Sequence, residues 1–554
     1  MRTLQLRLRR FARAWIRLRR QRRGNVAITF ALALIPLLAF VGVAIDYSRA
    51  NAVKADLQAA LDSAALMVAK NAATMTADQL QSTAQSYFLA LFNNKQASNI
   101  NFTASYATSG GSSLVVGGSA DVATSFMSLF GFNKITVAGS STSKWGSTRL
   151  RVALVLDTTG SMNDDGKIDA LKTATKNLLT QLKSAVSVDG DVYVSIIPFS
   201  KDVNVDGGNS SASWVDNWSD WDAPPSGLPP TSYTDTTGPG DSCPYSSSSN
   251  GYTCTTGPAN GSSNTSYVPS SGIYKGYICP SVDNGRVTAT RNSHYYNGCY
   301  NSTTYSCTGS SCSCTGHSNC SCSGYGSYRT CRTASGYYEH AWIKNAHSTW
   351  NGCVTDRGTS TAPGTSAGYD QNVTAPTTGN AATIFMPDQY SLCAPKMMGL
   401  SYNWTAMASV VDGLTPNGST NQPIGLVWGW QSLVGGGPFT APGQSSGYTY
   451  KQTIILLSDG LNTQDRWYGN GTTTNTSVDG RMYNSAGTGT CSNIKAAGIT
   501  IYSVQVNTGG DPTSTLLKNC ASSSDKFFLL TSANQIITTF QKIGTELSQL
   551  RIAQ

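Results

Sequence analysis

Two apolar runs in this 554-residue chain end in a carboxylate: RVALVLD, closing on Asp157, and IILLSD, closing on Asp459. The first continues into Thr158-Thr159-Gly160-Ser161, which puts an acid and two hydroxyls at alternate positions of a tight turn, so that their oxygens can face one point. Hard divalent cations such as magnesium take oxygen ligands in near-octahedral geometry and keep several waters. Asp157, Thr159 and Ser161, with Asp459 and a hydroxyl from a third loop, would make such a set. The plainer reading of the turn is a strand-to-helix junction in which Asp157 and Ser161 cap the next helix.

Those residues need a frame that brings them together. RVALVLD reads as a strand, Lys167 to Leu182 as a helix and Val192 to Pro198 as a second strand. Gln452 to Leu457, Thr500 to Val504 and Phe527 to Leu530 are further strands, and Asn534 to Leu550 is an amphipathic closing helix. Strands buried on both faces and joined by helices form a doubly wound parallel α/β sheet, whose ligand site lies at the carboxyl ends of its strands. Two strands would therefore deliver an aspartate to one edge.

Here the residues resemble a known family. D-x-[ST]-x-S after the first strand is the pattern of the metal-ion-dependent adhesion site of von Willebrand factor A domains, met here as Asp157, Thr159 and Ser161, with Asp459 matching the family's later aspartate. The family's lone threonine best matches Thr420 in Asn417-Gly-Ser-Thr-Asn421, with Ser419 as its rival. By that resemblance Thr159, Ser161 and Thr420 would touch the metal, and the two aspartates would hold metal-bound waters. A cation so short of direct negative ligands stays electrophilic and keeps a position for a partner's carboxylate. The cofactor implied is a divalent cation, magnesium first, with manganese or calcium as alternatives.

Charge and hydropathy set the compartment. Of 39 Lys and Arg against 30 Asp and Glu, ten arginines fall in residues 1–23, which carry no acid. The remainder is nearly neutral, which excludes a nucleic-acid groove on the folded body. Val26 to Ile45 is twenty residues without a formal charge, long enough as a helix to span about 30 Å of hydrocarbon once. The arginines before it place the amino terminus in the cytoplasm by the positive-inside rule, and all that follows outside. A cleaved signal peptide ending near Ala50-Asn51-Ala52 is the alternative; the length of the apolar run and the charges at Asp46 and Arg49 argue against it.

Val53, Leu57, Leu61, Ala64 and Val68 then share one helix face, so the anchor helix should continue outward. A helix around Ala77 to Asn93 and alternating stretches near Asn101 to Tyr106, Ser113 to Val122 and Lys134 to Ala138 follow. That is the build of a pilin-like stem, with a plain stalk as the alternative. A wider resemblance covers this frame: RRGNVAITFALALIPLLAFVGVAIDYSRA, LQAALDSAALMVAK, CSNIKAAGITIYSVQV and LKNCASSSDKFF are similar, in that order, to TadG-like Flp (tight adherence) pilus-assembly proteins. It implies a bitopic bacterial inner-membrane protein, its bulk periplasmic or extracellular, that assembles or anchors Flp pili by binding a pilus or envelope protein. The Gly24 region lacks the glutamate that a prepilin-peptidase site requires, since Thr29 stands in its place.

Twelve of the 14 cysteines lie between Cys243 and Cys393, a density that reads as disulfides in an oxidising compartment. Residues 241–340 hold only five Val, Ile, Leu or Met, too little aliphatic volume to order a hundred residues without cross-links. A zinc site from Cys312, Cys314, His317, Cys320 and Cys322 has tighter spacing than common zinc motifs. The Tyr, Ser, Gly and Asn content of this insertion suits recognition loops, which keeps open a surface adhesin or matrix-binding receptor with the insertion as its binding head. No GxSxG, P-loop or HExxH appears, so neither an enzyme nor a small-molecule substrate is expected. The organisation expected is an Arg-rich arm (1–23), transmembrane anchor (24–46), pilin-like stem (47–146), von Willebrand A domain first part (147–204), insertion (205–395) and second part (396–554).

Overall fold

The uncharged run and the Ala-rich stretch after it form one unbroken helix, α1 (Gly24–Ala69), with Pro36 inside it. It is long and apolar enough to cross a membrane, and lies near the amino terminus. The computed structural model describes residues 24–552 except 70, 109–110, 147, 187, 216–217, 225–227, 246–252, 256, 258–263, 282–297, 359–367, 381, 391 and 435–438. The Arg-rich arm and His294 lie outside the described residues. Two compact units divide between Ser147 and Thr148.

In the first unit the outer half of α1 carries the expected stripe: Val53, Leu57, Leu61, Ala64 and Val68 are all buried. They pack with α2 (Ala77–Leu91) on an antiparallel sheet of β1 (Ala97–Ala107), β2 (Ser112–Ala123) and β3 (Lys134–Trp145), in the order β1-β2-β3. Thr76 and Gln79 start α2 with a reciprocal capping box, which satisfies two backbone donors that the helix leaves open. On the sheet, Asp121 accepts hydrogen bonds from Lys134, Thr136 and Asn99.

The second unit is built on a six-stranded sheet. Its strands are β4 (Thr148–Asp157), β5 (Val192–Phe199), β6 (Met398–Ser401), β7 (Thr449–Ser458), β8 (Thr500–Val506) and β9 (Phe527–Leu530), in the order β6-β5-β4-β7-β8-β9. All pairs are parallel except the edge pair β6–β5. Alternate residues of β4 serve two cores. Leu150, Val152, Leu154 and Leu156 meet α3 (Lys167–Ser184), α4 (Trp404–Asp412) and the closing helix α7 (Asn534–Ile552). Ala153 and Val155 meet α5 (Gln422–Leu433) on the other face. Burial on both faces is why the strand reads as a continuous apolar run. Helix α5 sits very close to the sheet: a Cβ on Gly429 would fall 2.5 Å from Val155 Cγ2, so only glycine permits this approach.

The insertion is held in two ways. Trp218, Trp221, Trp350, Val354 and Phe385 belong to the same core as Val155 and Trp428, so part of it is continuous with the sheet domain. Beneath them Arg481, in the short helix α6 (Thr476–Met482), is fully buried and binds Asp356 at 2.6 Å, Asp370 at 2.8 Å and Asp465 at 2.8 Å. Farther out, a small three-stranded sheet (Ser306–Thr308, Cys320–Ser323, Thr330–Thr333) is clamped by the disulfides Cys307–Cys312, Cys314–Cys320 and Cys322–Cys331. Cys279–Cys299, Cys353–Cys393 and Cys491–Cys520 are also bonded, and no free cysteine occurs among the described residues. The last closes a loop worth about 3–4 kcal/mol by chain entropy, a model-dependent figure.

Two stability measurements follow. Arg481→Met would strand three carboxylates in the interior, at an expected cost of about 3–5 kcal/mol in denaturant unfolding of the unit from Thr148 onward. The Lys134 hydrogen bond, followed by those from Thr136 and Asn99, holds Asp121 at about 2, below its unfolded value. Its contribution is therefore present above about pH 4 and lost as pH falls towards 2. Asp121→Asn should lower the melting temperature of the first unit at neutral pH and converge with the parent near pH 2, read by circular dichroism.

Candidate functional site

Strands β4 and β7 are neighbours with Leu156 opposite Leu457, so Asp157 and Ser458 emerge side by side at their carboxyl ends. Asp157 is fully buried; its Oδ1 accepts from the Thr159 backbone N–H at 2.8 Å and its Oδ2 from the Ser458 hydroxyl at 2.5 Å. The Thr159 and Ser161 hydroxyls lie 3.2 Å apart, and the Ser161 hydroxyl donates to Asp459 Oδ1 at 2.7 Å. A Cβ placed on Gly460 would stand 3.9 Å from Ser161 Oγ and 4.0 Å from Thr420 Oγ1. The Ser161 and Thr420 hydroxyls thus both approach Gly460.

The loops that carry these groups are stitched by their backbones. Gly160 N–H donates to Gly418 O at 3.0 Å, Asn417 N–H to Thr158 O at 2.7 Å, and Thr463 N–H to Thr420 O at 2.9 Å. Thr420 N–H donates to the Thr463 hydroxyl, and Asn421 caps α5 while its amide donates to Asp356. Asp157, Thr159, Ser161, Thr420 and Asp459 therefore converge at one end of the sheet. The Ser419 hydroxyl instead faces Gly471. Asp164 and Asp165 are exposed.

Burial first, then the neighbouring Asp459 carboxylate, pushes Asp157 up to about 7, against the hydrogen bonds from Ser458 and Thr159. One ammonium is at hand: Lys167 Nζ lies 2.6 Å from Asp459 Oδ2 in a buried ion pair. Among the described residues, Lys167 is the ammonium paired with these two carboxylates. The oxygens present are carboxylate and hydroxyl, the donor set of a hard cation.

Lys167 and Ser458 were not singled out from the sequence. Lys167 opens α3, where a cation opposes the helix dipole. A buried lysine at that place needs an acid, and that is the signal it offered. Ser458 looked like the last residue of an apolar strand. The cysteines once considered as zinc ligands are in disulfides, and His317 stacks on Tyr305 with its Nδ1 3.0 Å from Glu339. His340 and His347 bind Asp235 and Asp222 in the insertion, far in the chain from the strand ends.

Residues 24–79 match the family described as Tad, putative Flp pilus-assembly TadE/G-like. No curated protein is matched by the chain. Among solved structures, it is similar to the pilus adhesin SpaC from Lactobacillus rhamnosus GG, with 13% identity over 83% of this chain and 35% of that one, TM-score 0.28. It thus spans about a third of that structure's length. The vWF domain of the type V pili tip protein Mfa5 from Porphyromonas gingivalis is 8% identical over 73% of this chain and 96% of its own, TM-score 0.28. The PilB minor pilin from Streptococcus sanguinis is 8% identical, covering 82% and 80%, TM-score 0.27.

Ser458→Ala removes a donor from a buried carboxylate and should cost about 1–3 kcal/mol of stability. Denaturant unfolding at neutral pH checks it, with Ser161→Ala, at an exposed position, expected to cost less.

Proposed function

We propose that the chain is a single-pass envelope protein of Flp pilus assembly that grips a protein partner through a divalent cation at its sheet edge. The observation that carries this is the meeting of Asp157, Asp459 and the Thr159, Ser161 and Thr420 hydroxyls in a chain whose residues 24–79 match the TadE/G-like family. The donor set fits the group: hydroxyl and carboxylate oxygens gathered at one end of the sheet, with two carboxylates against the one ammonium of Lys167 among the described residues. Thr159, Ser161 and Thr420 would hold the ion, with Asp157 and Asp459 behind them. When bound, magnesium supplies a Lewis-acidic point that a partner's Asp or Glu can complete. The chain's own residues do the rest. Ser458 and the Thr159 N–H fix the Asp157 carboxylate, the stitched backbones hold the three hydroxyls in register, and Lys167 neutralises one oxygen of Asp459. The amino terminus is cytoplasmic in this reading and the disulfide-bonded body lies outside, where thiols oxidise.

A second reading, adhesion through the insertion, is favoured by Tyr325 and Tyr328, which are exposed on the disulfide-clamped sheet. Removing the whole insertion cannot separate the two readings, because that also removes the Arg481 partners Asp356 and Asp370. Tyr325→Ser with Tyr328→Ser can: loss of surface attachment with normal piliation would favour the adhesin.

The cation is tested by thermal unfolding of the unit from Thr148 onward. At a magnesium or manganese concentration one hundred times its dissociation constant, binding should add about 2.7 kcal/mol. Asp157→Ala should abolish that gain; equal responses of parent and variant would refute the site. In cells, Asp157→Ala with Asp459→Ala should abolish pilus assembly.

A further inference from the structure

The stem carries an apolar projection that its own core does not use. Between β2 and β3 the chain makes a short 3-10 turn, Met127–Phe130, closed by Gly131 in the left-handed conformation. Phe126, Leu129, Phe130 and Phe132 are 41%, 80%, 60% and 62% exposed. Four large apolar side chains on one ten-residue loop exceed the scattered singles normal on a soluble surface.

The loop is fixed against α1 rather than left to wander. Asp46, buried, accepts from the backbone N–H groups of Ser125 at 2.9 Å, Phe126 at 2.8 Å and Met127 at 2.8 Å, so one carboxylate caps the whole turn. One helical turn later Arg49 donates to the Ser125 hydroxyl at 3.0 Å. Phe126 lies on Gly42: a Cβ there would come within 2.6 Å of the Phe126 side chain. Gly42 is sixteen residues into the uncharged run that begins at Val26, or about 24 Å along a helix. The loop therefore touches α1 within the last turns of a stretch long enough to cross about 30 Å of hydrocarbon.

We infer that residues 126–132 are a second membrane contact, a wedge that enters the outer leaflet of the same bilayer that α1 spans. The bilayer is the occupant because the loop packs on α1 at Gly42, inside the uncharged run, where α1 itself exposes Val41 and Ile45 and so has no protein cover of its own. Asp46 and Arg49, which hold the loop, directly follow the uncharged run on α1, where a spanning helix would reach the lipid headgroups. An interfacial element of this kind sits roughly 5–10 Å into the headgroup and acyl boundary. Its effect is orientational. A single helix lets an ectodomain swivel and tilt, whereas a helix with a wedge pinned to it by Asp46 fixes the stem's rotation and its height above the membrane.

The inference rests on the membrane-spanning reading of α1, and the test separates the two. In the full-length protein reconstituted in phosphatidylethanolamine–phosphatidylglycerol vesicles, single cysteines replace Leu129, Phe130 and Phe132 in turn, with Val41→Cys as the span control and Val188→Cys as the aqueous control. Each carries a nitroxide label, and collision with oxygen and with a water-soluble nickel chelate is measured by power saturation. The wedge predicts that positions 129, 130 and 132 favour oxygen over nickel, as position 41 does, while position 188 favours nickel. Nickel access at the loop with oxygen preference at 41 would overturn the wedge and leave the span intact. Protection of the loop from both reagents would mean a protein covers it, a second copy or a pilus subunit, and would equally overturn it. Nickel access at 41 would remove the span and the wedge together.

Discussion

The second unit turns on electrostatic crowding at the end of two adjacent parallel strands. Parallel pairing of β4 with β7 leaves no freedom in where Asp157 goes: once Leu156 faces Leu457, its carboxylate is buried beside Ser458 and close to Asp459. Two carboxylates in a place that excludes water are unfavourable unless positive charge or donated hydrogen bonds offset them. The fold supplies two hydrogen-bond donors to Asp157, and a lysine and the Ser161 hydroxyl to Asp459. The proposed cation would meet the demand for positive charge that these groups leave at this end of the sheet.

The surrounding structure serves to hold that crowding in place. The hydroxyls come from two loops whose backbones bond to each other, and Asn421, next to Thr420, donates to Asp356 of the insertion. Asp356 in turn is bound by the buried Arg481. A charge network thus runs from the insertion to the loop that carries Thr420. The insertion is consequently more than a head carried on the sheet: part of it completes the sheet's own core and the support of the site.

Much of this was legible in the chain. Unbroken apolar runs and helical spacing located β4, β5, β7, β8, β9, α3 and α7, because burial on both faces or along one stripe leaves a pattern that local sequence cannot hide. The strand tips Asp157 and Asp459 were visible as carboxylates closing apolar runs. The edge strand β6 was not, since four residues on an exposed edge, one of them Gly399, carry no alternation to read. Nor was Arg481 as the anchor of the insertion, because its partners Asp356, Asp370 and Asp465 come together only in three dimensions. The disulfide pairs could not be chosen from the many connectivities that fourteen cysteines allow. Asp46 read as a flanking charge; its role as the cap of the 126–132 turn depends on a sheet loop that returns about eighty residues later.

The cation at the sheet edge is tested most directly by anomalous scattering from crystals of the unit from Thr148 onward grown with manganese. A single manganese peak bounded by the Thr159, Ser161 and Thr420 hydroxyls, with Asp157 and Asp459 behind it, is the predicted result. A structure in the same manganese concentration with no peak there, and with Lys167 still paired to Asp459, would contradict it.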